Sequence, residues 1–148
     1  RPGKNEKIFK LYKFRTMTDS APHQMATGDF DNSQDYITKI GKVLRKSSLD
    51  ELPQLFNVLK GDMSLIGPRP LIPNEKKVLN LRDRLGATTV LPGITGLAQV
   101  HGRDELNDEN KAKYDSKYAH NISLKLDFGI FLKTIFDVIQ SKGVHDGK

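Results

Sequence analysis

From Lys7 to Met17, the apolar residues Ile8, Phe9, Leu11, Tyr12 and Phe14 alternate with basic residues at short spacing. That pattern suits a partly exposed strand, and the preceding RPGKNEKIF reads as a turn leading into it. Thr18 to Ser33 is polar, with Pro22 and Gly28, and reads as a long loop. Tyr36, Ile37, Ile40, Val43 and Leu44 then recur at helical spacing, with Lys39, Lys42, Arg45 and Lys46 elsewhere around the helix, giving an amphipathic element with a basic side. Leu52, Leu55, Phe56 and Leu59 signal a second helix that stops at Gly61. Ser48 and Glu51 match a capping box, but Pro53 would then lie one turn inside; a start at Asp50 puts Pro53 in the first turn, where its missing amide costs nothing. Either start leaves Asp50 and Glu51 at a helix N-terminus.

Met63 to Ile66 is a short apolar stretch ending in Gly67-Pro68-Arg69-Pro70, where two prolines stiffen an extended turn and display Arg69. A third helix is expected from about Asn74 to Leu85, with Val78, Leu81 and Leu85 on one side. Leu91-Pro92-Gly93 makes a turn, and Leu97 to Val100 reads as a strand before Gly102-Arg103. Asn107 to Ala119 reads as a polar helix anchored by Tyr114 and Tyr118. In the last helix, Leu124, Phe128, Phe131, Leu132, Ile135 and Ile139 line one face. There is no internal repeat.

The 148 residues suffice for one domain with its own core, without disulfides or structural metal. Charged residues are 28% and apolar ones 36%, so part of the apolar surface is expected to meet something outside the chain. The absence of cysteine removes disulfides, thiolate metal sites and thiol nucleophiles, and suits a cytosolic face. A net charge of +6 favours an anionic partner, for which nucleic acid, acidic lipid and phosphorylated metabolites all qualify. No run approaches the roughly 18 apolar residues of a membrane span. Because the chain opens on a turn at Arg1, further residues are expected upstream.

The sequence contains no G-x-x-x-x-G-K-[ST], H-E-x-x-H, G-x-S-x-G or G-x-G-x-x-G motif. His23, His101, His120 and His145 show no ligand spacing; His101, two residues before Arg103, is the one placed to touch a substrate. Adjacent acids at a helix start ordinarily just complement the helix dipole, by ~0.3–1 kcal/mol. Three arginines give the Asp50-Glu51 pair another reading: Arg45 upstream, Arg69 in the proline turn and Arg103 after a glycine. Guanidinium groups bind phosphate oxygens bidentately, and stiff turns place them at little entropic cost, so the set suits a diphosphate.

The stretch RKSSLDELPQLFNVLKGDMSLIGPRPL, Arg45 to Leu71, resembles the signature of bacterial sugar transferases of the monotopic phosphoglycosyl transferase family. KIFKLYKFRTM (Lys7 to Met17), LPGITGLAQVHGR (Leu91 to Arg103) and YDSKYAHNISLKLD (Tyr114 to Asp127) are similar to its other motifs, in the same order, over nearly the whole chain. The resemblance implies a helix-rich α+β single domain with a small β-hairpin and amphipathic interfacial helices, at the cytoplasmic face of the bacterial membrane. A re-entrant membrane hairpin would precede Arg1. It also implies Mg²⁺ dependence and transfer of a sugar-1-phosphate from a nucleotide diphosphate sugar, leaning towards uridine, to polyprenyl phosphate. Carried onto this chain, Asp50 is the nucleophile and a metal ligand, Glu51 its partner, and Arg45, Arg69 and Arg103 the phosphate contacts. His101 is a departure, since other members often carry a different small or polar residue there.

The transfer is chemically coherent with these groups. A carboxylate can attack the sugar-bearing phosphorus if Mg²⁺ and arginines offset the charge repulsion, and polyprenyl phosphate, already anionic, needs no general base in the second step. Glu51 is accordingly read as a positioning or metal-side residue, with acid-base work as the weaker alternative. The rival readings are a nucleic-acid-binding module, which would need aromatics free to stack where Tyr and Phe here mostly lie on apolar faces, and an inactive membrane-associated fragment. The sequence does not specify the sugar, the glycan pathway or the oligomeric state.

Overall fold

A computed structural model of the protein describes residues 1–21, 33–102 and 105–140. The chain opens with a tight reversal: Pro2 and Ile8 form an antiparallel bridge, and the Phe9 amide donates to the Arg1 carbonyl at 2.9 Å. Among the described residues antiparallel pairing is limited to isolated bridges, and the one small sheet is a parallel pair in place of the β-hairpin that the resemblance implies. Lys7 to Met17 continues extended rather than as a regular strand, because much of its backbone is fixed by side chains. Asn57, wholly buried, accepts from the Tyr12 amide at 3.0 Å and donates to the Lys10 carbonyl at 2.8 Å. Met17 then forms a single bridge with Ile37.

Helix α1 (Lys39–Lys46) starts at Thr38, whose hydroxyl accepts from the Gly41 amide at 2.9 Å, a regular N-cap. Asp50 and Glu51 lie in a 3₁₀ turn, Leu49–Glu51, and not at an α-helix N-terminus; α2 (Gln54–Leu59) begins only after Pro53. The reason lies at Ser48. Its φ of 56° turns the chain left-handed, so its hydroxyl does not cap, and Pro53 without an N–H fits only at the new helix start.

Helix α2 is inside out. Gln54 and Asn57 are buried, whereas Leu52, Leu55, Phe56 and Leu59 face outwards, Leu59 83% exposed. The apolar stripe of the sequence is therefore the outer face.

Strands β1 (Ser64–Ile66) and β2 (Gly93–Thr95) pair in parallel, Ser64 opposite Gly93 and Ile66 opposite Thr95. Between them runs α3 (Lys76–Arg84), the crossover that a parallel pair requires. The run Leu97–Val100, read as a strand, is instead a short helix, α4. All four of its residues are buried, Gln99 included, and a run of four residues is too short to carry a period that separates strand from helix. α5 (Asp108–His120) is capped by Asn107, and α6 (Leu124–Ile139) by Ser123. The core gathers Ile66, Leu97, Val100, Tyr118 and Ile130, so α5 and α6 pack against the sheet and α4. Tyr118 donates to Asp127 Oδ1 at 2.9 Å, with the Ile66 carbonyl 3.2 Å away; burial first, and Asp127 second, raise its pKa. On α6 only Ile130 is buried, and Leu124, Phe128, Phe131, Leu132, Ile135 and Ile139 are exposed.

The proline turn is seated by backbone contact too close for side chains. A Cβ on Gly93 would lie 2.1 Å from the Gly67 nitrogen, and one on Gly96 2.0 Å from the Gly67 carbonyl oxygen. Gly129, inside α6, is the opposite case, with nothing within 4 Å of an added Cβ. Gly93→Ala should therefore destabilise the chain by about 1–3 kcal/mol, whereas Gly129→Ala should stabilise it by about 0.5–1 kcal/mol through helix propensity. Urea denaturation of the two variants checks the opposite signs.

Candidate active site

The 3₁₀ turn buries Asp50, 3% exposed, and leaves Glu51 half-buried beside it. The extended N-terminal segment lies over this turn: the Phe14 amide donates to the Asp50 carbonyl at 3.0 Å, and Lys13 Nζ reaches Asp50 Oδ2 at 2.7 Å. Lys13 Nζ is also 4.0 Å from Glu51 Oε1. From the other side, Arg69 Nη1 donates to Glu51 Oε1 at 2.9 Å. The result is a row of alternating charge, Asp50, Lys13, Glu51, Arg69, brought together from three separate parts of the sequence.

Each member is placed for a local reason. Asn57 and the Phe14 amide fix the backbone on both sides of Lys13. The extended Pro68-Arg69-Pro70 turn, with Pro68 buried and Arg69 exposed, projects the guanidinium outwards. A buried carboxylate requires a partner, since an uncompensated charge in such a place costs several kcal/mol. Lys13 is that partner.

Of the residues singled out from sequence, Asp50, Glu51 and Arg69 come together. Arg45 is held differently: its Nε donates to Thr16 Oγ1 at 2.9 Å, which ties α1 to the segment that carries Lys13. Arg103 lies outside the described residues, as do His23 and His145. His101 is exposed and lies apart from this group, on the lining of a cavity between α4 and α6. Its ring stacks on Tyr114 with centroids 4.5 Å apart, and Nδ1 donates to the Leu97 carbonyl at 2.8 Å. Lys13 is the site residue that sequence reasoning missed; the signal available was the KIFKLYKFRTM block itself, read for its strand pattern and not for its charges.

Among the described residues no three His, Cys, Asp or Glu side chains cluster as a ready metal site. Two adjacent carboxylates nevertheless fit Mg²⁺, a hard cation that commonly takes one or two protein carboxylates and fills its shell with phosphate oxygens and water. A cavity of about 400 Å³ lies elsewhere, between α4 and α6, lined by Leu97, Val100, Leu126 and Ile130 with Lys125 and Lys133. It holds none of the four charged residues, and its mainly apolar walls suit a diphosphate less well than the charge row does.

The bacterial sugar transferase model matches residues 1–141. The chain belongs to that family. It is 44% identical to the sugar transferase EpsL of Bacillus subtilis, over 97% of this chain and 69% of the relative. It is 38% identical to the undecaprenyl-phosphate galactose phosphotransferase of Salmonella typhimurium, over 98% of this chain and 33% of the relative. A relative from Aeromonas hydrophila, named a UDP-N-acetylgalactosamine-undecaprenyl-phosphate N-acetylgalactosaminephosphotransferase, is 42% identical over 97% of this chain and 35% of its own length. The sugar transferase chain thus spans about a third of the latter two relatives.

The Lys13–Asp50 contact should be energetically coupled. Lys13→Met alone should cost about 1–3 kcal/mol, because it leaves a buried carboxylate without its donor. Combined with Asp50→Asn it should cost less than the sum of the two single changes. Equal and additive losses in urea denaturation would show that the contact contributes nothing.

Proposed function

We propose that this chain is the catalytic part of a phosphoglycosyl transferase that moves a sugar-1-phosphate from a UDP-sugar to undecaprenyl phosphate, at the start of exopolysaccharide, capsule or glycoprotein glycan assembly. The observation that carries the reading is the buried Asp50 beside Lys13, flanked by the Glu51–Arg69 pair. The names of the Salmonella and Aeromonas relatives support the acceptor, and the Aeromonas name supports the nucleotide.

In the first step an Asp50 carboxylate oxygen bonds to the sugar-bearing phosphorus of the donor. The bridging P–O bond breaks, and the nucleoside monophosphate leaves with the bond electrons. In the second step an oxygen of the polyprenyl phosphate attacks the same phosphorus, frees the Asp50 carboxylate and yields the polyprenyl diphosphate sugar. Lys13 and Arg69 offset the charge that would otherwise repel a dianionic diphosphate from a carboxylate, and in a site partly shielded from water such groups act strongly. Glu51, close to both cations, acts as their spacer, in keeping with a positioning role. Arg45 supports the segment bearing Lys13; Arg103 is retained as a phosphate contact by family likeness. Asp50, with Glu51 beside it, would hold Mg²⁺, which when bound supplies charge neutralisation at the diphosphate.

The acceptor lies in a membrane, and the outward apolar residues of α1, α2 and α6 support docking on its cytoplasmic face, as does the net charge of +6. No helix among the described residues is long and apolar enough to cross a membrane. Nucleic acid is not part of this reading, since an alternating row of charge is not a basic stacking platform.

Intact-mass analysis and peptide mapping test the chemistry, using the enzyme expressed from its complete gene with donor and Mg²⁺ but no acceptor. A sugar-phosphate adduct is expected on Asp50, lost in Asp50→Asn together with turnover, while Glu51→Gln retains a measurable first half-reaction. An active preparation with no adduct, or with the adduct on another residue, overturns the mechanism.

A further inference from the structure

Prolines at 68 and 70 donate no backbone hydrogen bond, so the turn carrying Arg69 must be tied down largely through its carbonyls. The Gly93 amide donates to the Pro68 carbonyl at 2.9 Å. The next carbonyl, that of Arg69, accepts from Arg82 Nη1 at 2.8 Å. Arg82 is a buried arginine of α3. Its Nε and Nη2 both donate to Oδ2 of Asp115 on α5, at 2.7 and 2.5 Å, and Asp115 is 1% exposed.

A pair that merely glued α3 to α5 would need two partners, and hydrophobic residues would often do as well. Two features go further. The guanidinium fork spends one arm on the backbone of the turn, and Asp115 Oδ1 is buried without a hydrogen-bond partner among the described residues. The carboxylate is thus committed through a single oxygen to orienting Arg82. Burial raises the pKa of Asp115, and Arg82 pulls it back, so the pair is held against a desolvation cost.

We propose that Arg82, oriented by Asp115, is a positioning residue of the phosphate site: it bolts the Pro68–Pro70 turn so that Arg69 reaches Glu51. The inference rests on the reading of Arg69 as a phosphate contact, and nothing in the family match assigns it. Arg82 itself is buried behind the turn and acts through the Arg69 carbonyl.

Removing Arg82 alone strands Asp115 and endangers the fold, so the test replaces both partners, Arg82→Met with Asp115→Leu, in the enzyme expressed from its complete gene. The fold should survive, with a melting temperature near that of the parent. The crystal structure of the double variant should show the turn displaced and Arg69 out of hydrogen-bond reach of Glu51. Donor kcat/KM should fall by up to about 100-fold, as displacements near 1 Å can cause. Arg69→Ala added to the double variant should cost almost nothing more, whereas a merely structural role would give additive losses. An unchanged Arg69–Glu51 contact, or additive losses, overturns the proposal. A displaced turn with full activity, in a protein where Arg69→Ala is also fully active, upholds the bolt and overturns the reading of the site.

Discussion

A carboxylate that is nearly inaccessible to water dictates much of this architecture. Asp50 sits on a short 3₁₀ turn, where burial would be prohibitive without a cation, and the cation comes from the other end of a long-range contact, Lys13. Bringing Lys13 there requires the N-terminal segment to lie extended across α2, which it does by exchanging hydrogen bonds with Asn57 in place of a neighbouring strand. That in turn makes α2 bury its polar residues. The orientation of one helix and the absence of a regular strand are thus two consequences of placing one lysine.

The same inversion explains the outer surface. Leu52, Leu55, Phe56 and Leu59 each leave unrealised a part of the roughly 1.5–3 kcal/mol that full burial of such a side chain contributes, and α6 exposes Leu124, Phe128 and Phe131 similarly. On the function proposed above, docking on a membrane surface recovers that energy without any change of fold. The buried polar face of α2 anchors the segment that carries Lys13, while its apolar face is left outwards on the same short helix.

Much of this was legible in the sequence, though not all in the right direction. The LDELPQLFNVLKGDMSLIGPRP block pointed to Asp50, Glu51 and Arg69 because the acids and the proline turn are local features. Helix spacing located α1, α3, α5 and α6 to within a few residues, since their caps and periodicities are also local. Lys13 and Asn57 were missed for the opposite reason: a lysine among basic residues, or an asparagine on an amphipathic helix, acquires meaning only from a partner some 40 residues away. Periodicity marked the apolar face of α2 correctly but carries no information about which face turns inwards. The helix at Leu97–Val100 was misread as a strand because four buried residues have no period.

The central claim is that the row formed by Asp50, Lys13, Glu51 and Arg69 receives the donor's diphosphate. It is tested most directly by the crystal structure of the enzyme expressed from its complete gene, bound to a non-transferable UDP-sugar analogue with Mn²⁺ in place of Mg²⁺ so that the cation can be located by anomalous scattering. The account predicts diphosphate oxygens within hydrogen-bond distance of Lys13 Nζ and the Arg69 guanidinium, with the cation and the sugar-bearing phosphorus beside Asp50. A diphosphate bound elsewhere, for instance between α4 and α6 at Lys125 and Lys133, would contradict it.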